Sequence, residues 1–324
     1  MNIKKSALVG IDVSYKTFNA HFSGNDCKYN NSCRGWQKLV KEAPPNSTYA
    51  MEATGYYHYR LASYLHSKGF KVIVFNPYFV KHWVQSLGSK AKTDKIDARH
   101  ICLYALSEKS RLREWKPLSP LHSRARVIVS LLSGLSKLKK SANNVNHSVS
   151  LVVGKSSDML NAMSCVSDVC KEQESKLEKE LVEIAQKLFP GQLRNLSSIP
   201  GIGSKTAAVM LVCCKGFSEF ATHRQLASYI GLAPSFKESG TSVKSKPRIS
   251  KTGNNYLRGL LFMCSMTAFK LCGPCRDLYS RLTQRGKPKK LAIIAVMHRL
   301  VKIAFGVVQS GELYKGGEFI VNPV

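Results

Sequence analysis

Four carboxylates draw attention in a chain that has few of them, 20 Asp and Glu against 49 Lys and Arg in 324 residues. Asp12 lies inside an apolar run, ALVGIDVS, where an ionised group is costly unless it is paired or holds a metal. Glu52 sits near the end of a second such run, in YAMEATG. Asp94 and Asp97, in AKTDKIDARH, are three residues apart and share one face if the segment is helical. Each has an ordinary alternative: a turn for Asp12, a cap for Glu52, a helix N-cap for Asp94, an ion pair for Asp97. Brought together, the four make a set of hard oxygen ligands suited to two Mg²⁺ ions. Such ions activate an attacking oxygen and stabilise the leaving one in phosphodiester chemistry.

A second group of residues speaks for a polyanion partner. The formal charge is +29. Residues 237 to 302 hold fifteen Lys and Arg, among them Lys244, Arg248, Lys251 and Arg258, against only Glu238 and Asp277. A merely solvated surface mixes signs, so a one-sided stretch favours phosphate contacts. Upstream, LSSIPGIGSKTAA reads as an apolar approach, a turn through Gly201 and Gly203, and a helix from Ser204 that carries Lys205. Free N–H groups at such a turn and the helix N-terminus behind it favour phosphate. The pattern is that of a helix-hairpin-helix, which grips nucleic-acid backbone; an ordinary glycine turn between helices is the alternative. The segment KESGTS, around Ser239, is on its residues alone a common polar surface turn.

The elements that must position these groups fall into three regions. In the first, Ala7–Ser14 and Thr17–Ser23 read as strands and 26–31 as a third, closing an antiparallel meander. Then come a helix over 35–42 that ends at Pro44, a strand over Thr48–Glu52 and a helix over Tyr57–Ser67 stopped by Gly69. A strand over Lys71–Asn76 ended by Pro77, a loop, and a helix over 94–106 follow. The order β-β-β-α-β-α-β-α gives a mixed sheet with helices on its faces, the ribonuclease H arrangement. In that sheet the first and fourth strands are neighbours and the late helix packs across them, which would gather the four acids. Residues 124–188 are helical, with Leu177, Leu181, Ile184 and Leu188 stepping by 4, 3 and 4: the seam of a helical hairpin or of a dimerising coiled coil, with a helix packed on its own domain as the plain alternative. The remainder reads as mainly helical.

Composition excludes several classes. At 44% hydrophobic and 21% charged the chain is globular, and its length suggests two domains with a connector. No run approaches about 18 uninterrupted apolar residues, so no membrane span is expected, and the basic start meets Asp12 without the apolar core of a secretory signal. Ten cysteines then read as reduced thiols of a cytoplasmic protein. Cys272 and Cys275, in CGPC, lack a second pair at zinc-ligand spacing and read as inert thiols at a Gly-Pro helix break.

GIDVSYKTFNAHF, MEATGYYHYRLASYL, KVIVFNP and KAKTDKIDARH together resemble the N-terminal half of the DEDD transposases of the insertion sequence 110 family. IPGIGSKTAAVM, YIGLAPSFKESGTSVKSKPRISKTGNNYLRGLLFM and GKPKKLAIIAV resemble that family's second region. The likeness covers roughly residues 6–107 and 193–305. It implies a RuvC-like ribonuclease H domain over 1–118, a coiled-coil connector over 119–192 and a mainly helical transposase domain over 193–324. It also implies a Mg²⁺ site on Asp12, Glu52, Asp94 and Asp97, and a nucleophilic serine at Ser239, in the Ser-Gly motif. The function implied is cutting and rejoining of DNA at an insertion element and its target, in bacteria or archaea at the nucleoid, by a homodimer or homotetramer and in some members with a guide RNA. A junction-cleaving nuclease that uses the acids and water is the alternative. One departure is Tyr15, where the family commonly has Lys; Lys16 follows directly.

Overall fold

The computed structural model describes residues 7–53, 55–87, 94–108, 112–153, 158–235, 238–239, 243–244 and 248–316, with backbone alone at 94–96, 153, 235, 238–239 and 243–244. The chain divides into two compact units, Met1–Leu118 and Ser119–Val324.

The first unit is built on strands β1 (Leu8–Val13), β2 (Thr17–Phe22), β3 (Asn25–Asn30), β4 (Thr48–Glu52) and β5 (Lys71–Phe75), in the spatial order β3-β2-β1-β4-β5. β1, β2 and β3 form the expected antiparallel meander, and β4 and β5 run parallel to β1. Strand alternation sends Val9, Ile11, Val13, Phe18, Ala20, Tyr49 and Met51 to one face. There they meet Trp36 and Leu39 of α1 (Cys33–Glu42) and Leu61 and Leu65 of α2 (Tyr57–Ser67) in one core. The opposite face carries Ala50, Ile73 and Phe75 against Val80 of α3 (Pro77–Ser86) and Ile101 and Ala105 of α4 (Asp94–Ser107). Helix α3 corrects the loop expected after Pro77. Asn76 caps it, its side chain accepting from Tyr78 N at 3.0 Å, and Pro77 opens the first turn rather than ending the strand.

The closeness of α4 to the sheet rests on Gly10. A Cβ there would lie 2.4 Å from Ala98 O, 2.5 Å from Cys102 N and 2.6 Å from Cys102 Cβ. Cys102 Sγ in turn reaches Leu8 O at 3.7 Å, and burial pushes its thiol pKa up.

The second unit begins with α5 (Pro120–Val153) and α6 (Asn161–Leu188), which pack as a helical hairpin. Ion pairs Arg124–Glu180 and Lys139–Glu174 tie them. Next come α7 (Gln192–Ser197), α8 (Ser204–Cys213), α9 (His223–Ile230), four short strands β6 (Pro234–Ser235), β7 (Glu238–Ser239), β8 (Val243–Lys244) and β9 (Arg248–Ile249), then α10 (Asn255–Leu271), α11 (Gly273–Gln284) and α12 (Lys289–Ser310). One core joins the start of α5, the end of α6 and these later helices. Leu181 and Ile184 are buried in it, and Leu177 and Leu188 pack at its edge. That seam therefore faces the chain's own unit. By length and composition α12 is apolar enough to cross a membrane, but 67% of its apolar window is buried in this core. All ten cysteines are free.

Substituting Gly10 by Ala should force β1 and α4 apart, because the obstructing atoms are mostly backbone. We expect a loss of about 1–3 kcal/mol in urea unfolding. A second prediction concerns His122, buried at the start of α5 with Nε2 2.9 Å from Val212 O. Burial lowers its pKa, so as pH falls through the ordinary histidine range the unfolded chain takes up the proton first. Stability is then lost as pH falls through the ordinary histidine pKa of about 6.5, and His122→Gln should flatten that slope.

Candidate functional site

Two acids of the first unit, Asp12 and Glu52, lie at the same end of neighbouring strands. β1 and β4 pair in parallel with Gly10 opposite Ala50 and Ile11 opposite Met51. One residue further, the same register brings Asp12 level with Glu52, on the face that α4 covers. Both are half-buried, and Asp12 faces the buried Asn19 on its other side, across β2. The direction of α4 follows from its contacts. Ala98 and Cys102 lie over Gly10, and Cys102 also reaches back to Leu8. The helix therefore runs against β1, and its first turn, from Asp94, lies toward the Asp12 end. Asp97 is half-buried in that turn; Asp94 is the first helical residue, and its side chain lies outside the described residues. Asp12, Glu52 and Asp97 each have an interaction partner in the chain. Among the described residues no three acidic, His or Cys side chains stand close enough to hold a metal ion. The donor set itself, carboxylate oxygens alone, suits Mg²⁺ rather than a softer ion.

Ser239 lies on a small ribbon of the second unit. β6 pairs with β9 through Pro234–Ile249 and Ser235–Arg248, and β7 pairs with β8 through Glu238–Lys244 and Ser239–Val243. Ser239 is thus the last paired residue before residues 240–242, which lie outside the described residues, as do the side chains of Ser239 and Lys244. The base of the ribbon is held on the C-terminus of α9. Ser250 N donates to Ala233 O at 2.9 Å and Lys251 N to Gly231 O at 3.1 Å. Gly253 fits so closely that a Cβ would come within 2.1 Å of Tyr229 O.

The basic residues separate by role. Arg248 and Lys251 are exposed. Arg258 instead donates from Nη1 to Ile230 O at 3.1 Å and from Nη2 to Asn255 Oδ1 at 2.9 Å, and burial pulls its pKa down. It satisfies a carbonyl at the end of α9. Lys205 is ion-paired with Glu178 of α6. Gly201, at φ +97°, sits tight against α10, where a Cβ would be 2.7 Å from Cys264 O, whereas Gly203 caps α8 with open space around it. Cys272 and Cys275 are buried where α10 meets α11. The Cys272 thiol is pulled down to about 6, first by its hydrogen bond with Cys275 and then by that with the Tyr314 hydroxyl at 3.3 Å.

Sequence reasoning missed a group of exposed aromatic rings at the acidic edge: Tyr15 just beyond β1, and Tyr56 and Tyr57 just beyond β4. The string GYYHY directly after MEAT was the available signal.

Residues 9–147 match the family model for DEDD transposases of the IS110 kind, described as "Transposase", and residues 193–280 match the "Transposase IS116/IS110/IS902 family". The chain is 29% identical over 312 residues to the "Pilin gene-inverting protein" of Moraxella bovis, covering 93% of this chain and 95% of that one. It is 24% identical over 350 residues to a "Probable family 20 transposase" of Pseudomonas aeruginosa, covering 98% and 100%. A protein of insertion element IS110 from Streptomyces coelicolor is 33% identical over 120 residues, 37% of this chain and 29% of its own length.

The split among the arginines gives a prediction. Arg258→Ala should cost about 1–3 kcal/mol of stability, because buried carbonyls lose their donor. The double change Arg248→Ala with Lys251→Ala should leave the melting temperature unchanged. If both touch phosphate, it flattens the plot of log K against log[salt] by about two units.

Proposed function

From the premise that this chain belongs to the IS116/IS110/IS902 transposase family, and so is a DNA transposase or recombinase, we propose that it breaks and rejoins strands with an acidic metal site and a serine nucleophile. The observation that carries the first half is the register that sets Asp12 level with Glu52, with the first turn of α4 directed to the same edge. The strand order β3-β2-β1-β4-β5 supports reading the first unit as a RuvC-like ribonuclease H domain over residues 1–118. The α5–α6 hairpin, 119–192, then serves as connector, and 193–324 as the transposase domain with a backbone-gripping turn at Gly201 and Gly203.

In this reading Asp12, Glu52, Asp94 and Asp97 hold two Mg²⁺ ions. Such ions, when bound, supply charge stabilisation to phosphate oxygens. The chain's own residues do the rest. Ser239 Oγ bonds to phosphorus as the bond to a deoxyribose oxygen breaks, and the released hydroxyl takes up a proton. The phosphoserine link conserves the bond energy until a hydroxyl from another strand attacks, restores the phosphodiester and frees the serine. Exposed Arg248 and Lys251, at the base of the ribbon that carries Ser239, offer cations to the phosphate backbone of the bound strand. DNA of the element and target is the substrate, a structured guide RNA is a further partner of the basic surface, and two or four copies bring two DNA sites together. The working place is the cytoplasm of the host, at the nucleoid. Inversion of a gene also requires strands to be broken and rejoined, so the name of the Moraxella bovis relative fits the same chemistry.

Trapping decides the matter. Wild-type protein with a nicked or junction DNA in Mg²⁺ should leave a covalent adduct that survives denaturation and maps to the peptide holding Ser239. Ser239→Ala should lose the adduct and recombination yet bind nucleic acid normally, while Thr241→Ala, Ser242→Ala and Ser250→Ala keep adduct formation. Asp12→Ala and Asp97→Ala should abolish cleavage while leaving nucleic-acid binding in place. Cleavage with no adduct would favour the water-using nuclease; full cleavage by Asp97→Ala would sink the metal site.

A further inference from the structure

We propose that Tyr15, Tyr56 and Tyr57 form a stacking platform for an unpaired base of a single-stranded nucleic-acid segment, beside the acidic edge of the first unit. The proposal rests on the reading of that edge as a strand-cleaving site, and it adds what that reading leaves open: the form in which nucleic acid is presented there.

Three large rings, Tyr15 in the turn after β1, Tyr56 at the N-cap of α2 and Tyr57 at its first residue, are 71%, 56% and 47% exposed. The segments that carry them follow neighbouring parallel strands just past Asp12 and Glu52, so the rings and the acids belong to one end of the sheet. Tyr15 and Tyr57 lean together with ring centroids 5.8 Å apart and planes at 59°, leaving ring surface open to a third flat partner. Every base has a π-face, and stacking on aromatic side chains is tolerant of sequence. In a duplex those faces are already covered by neighbouring bases, so a solvent-facing ring selects an unpaired one.

The platform is also held in place. Asn31 Nδ2 donates to Ser14 O at 3.0 Å and to Tyr57 O at 3.4 Å, fastening both segments with one side chain. Asn31 is itself fixed, Oδ1 accepting from Trp36 Nε1 at 2.9 Å and its backbone N donating to Lys16 O at 2.9 Å. Ser14 Oγ donates to Thr17 O at 2.7 Å, closing the loop that carries Tyr15. Rings presented on a fixed backbone lose little freedom on binding. Lys16 and Arg60 are exposed alongside, Arg60 over the Trp36 ring at 5.7 Å, and provide cations for the flanking phosphates. That charge, in a chain of +29, favours a nucleic-acid occupant over an apolar protein face.

The test uses the full chain in EDTA, which separates binding from cleavage, with short single-stranded DNA and RNA oligonucleotides carrying 2-aminopurine and with a duplex of the same sequence. Wild type should quench the unpaired fluorophore. Tyr15→Ala and Tyr57→Ala should each weaken single-strand binding roughly 5- to 100-fold and relieve the quench, while duplex affinity changes less than twofold. Tyr15→Phe and Tyr57→Phe should bind like wild type, since the ring alone stacks. Whichever of DNA or RNA shows the larger loss is the source of the base. Because the rings are exposed, unchanged melting temperatures are expected for all variants. Alanine variants that bind and quench both single strands like wild type would overturn the platform, as would a change in oligomer mass with no change in oligonucleotide affinity. A platform that fails while the Ser239 adduct still forms leaves the recombinase reading intact; a platform that holds while no adduct forms overturns only that reading.

Discussion

The van der Waals contact between Gly10 and the backbone of α4 governs the first unit. Because no side chain stands at position 10, Ala98 and Cys102 lie directly on β1, and the helix axis is drawn about as near to the sheet as two backbones permit. Direction follows from that contact, since a helix pinned at Ala98 and Cys102 must deliver its first turn toward the Asp12 end. Parallel pairing of β1 with β4 supplies the other half of the arrangement, because only parallel neighbours finish together and carry their terminal residues to a common edge. The approach of α4 and the level of Asp12 with Glu52 thus rest on two contacts, one at Gly10 and one between β1 and β4. Interiors this dense transmit a displaced methylene rather than absorb it.

In the second unit the same economy of contact decides what the basic residues do. The fifteen cations of residues 237–302 look interchangeable in one dimension. In three, Arg258 belongs to the end of α9 while Arg248 and Lys251 stay in solvent, and upstream of that stretch Lys205 belongs to Glu178. A guanidinium held by carbonyls stiffens the base of the ribbon that carries Ser239; one left in water is available to phosphate.

Much of the first unit was legible. Thr48–Glu52 and Tyr57–Ser67 are bounded as their alternation and helical period indicate, and the meander followed from short turns between apolar runs. The neighbourly relation of Asp12 and Glu52 was legible too, because it needs only strand order. Helix α3 was not, since Pro77 serves equally to end a strand and to begin a helix, and only the Asn76 cap decides. Strands of two residues, β6 to β9, are too short to show any period. The partner of Arg258 is a carbonyl 28 positions away, a separation no local pattern reports. Exposure of Tyr15, Tyr56 and Tyr57 was equally hidden, because composition cannot say on which side of a surface a ring ends.

The hairpin of α5 and α6 has a consequence of its own. At about 1.5 Å per residue, the 34 residues of α5 extend roughly 50 Å. Its side chains in the unit's main core come only from the first few turns, Ala125 to Leu132. Beyond them the two helices rely on each other, through Ala142, Cys170 and the Lys139–Glu174 pair, and Leu151, Val152 and Met159 near the far end face solvent. Anchored at one end, the hairpin reaches away from the core that its root helps to build. Its amides should exchange with solvent hydrogen in a gradient, slowest at the root and fastest at the tip. Lengthening it by whole heptads would change the span while leaving the root untouched.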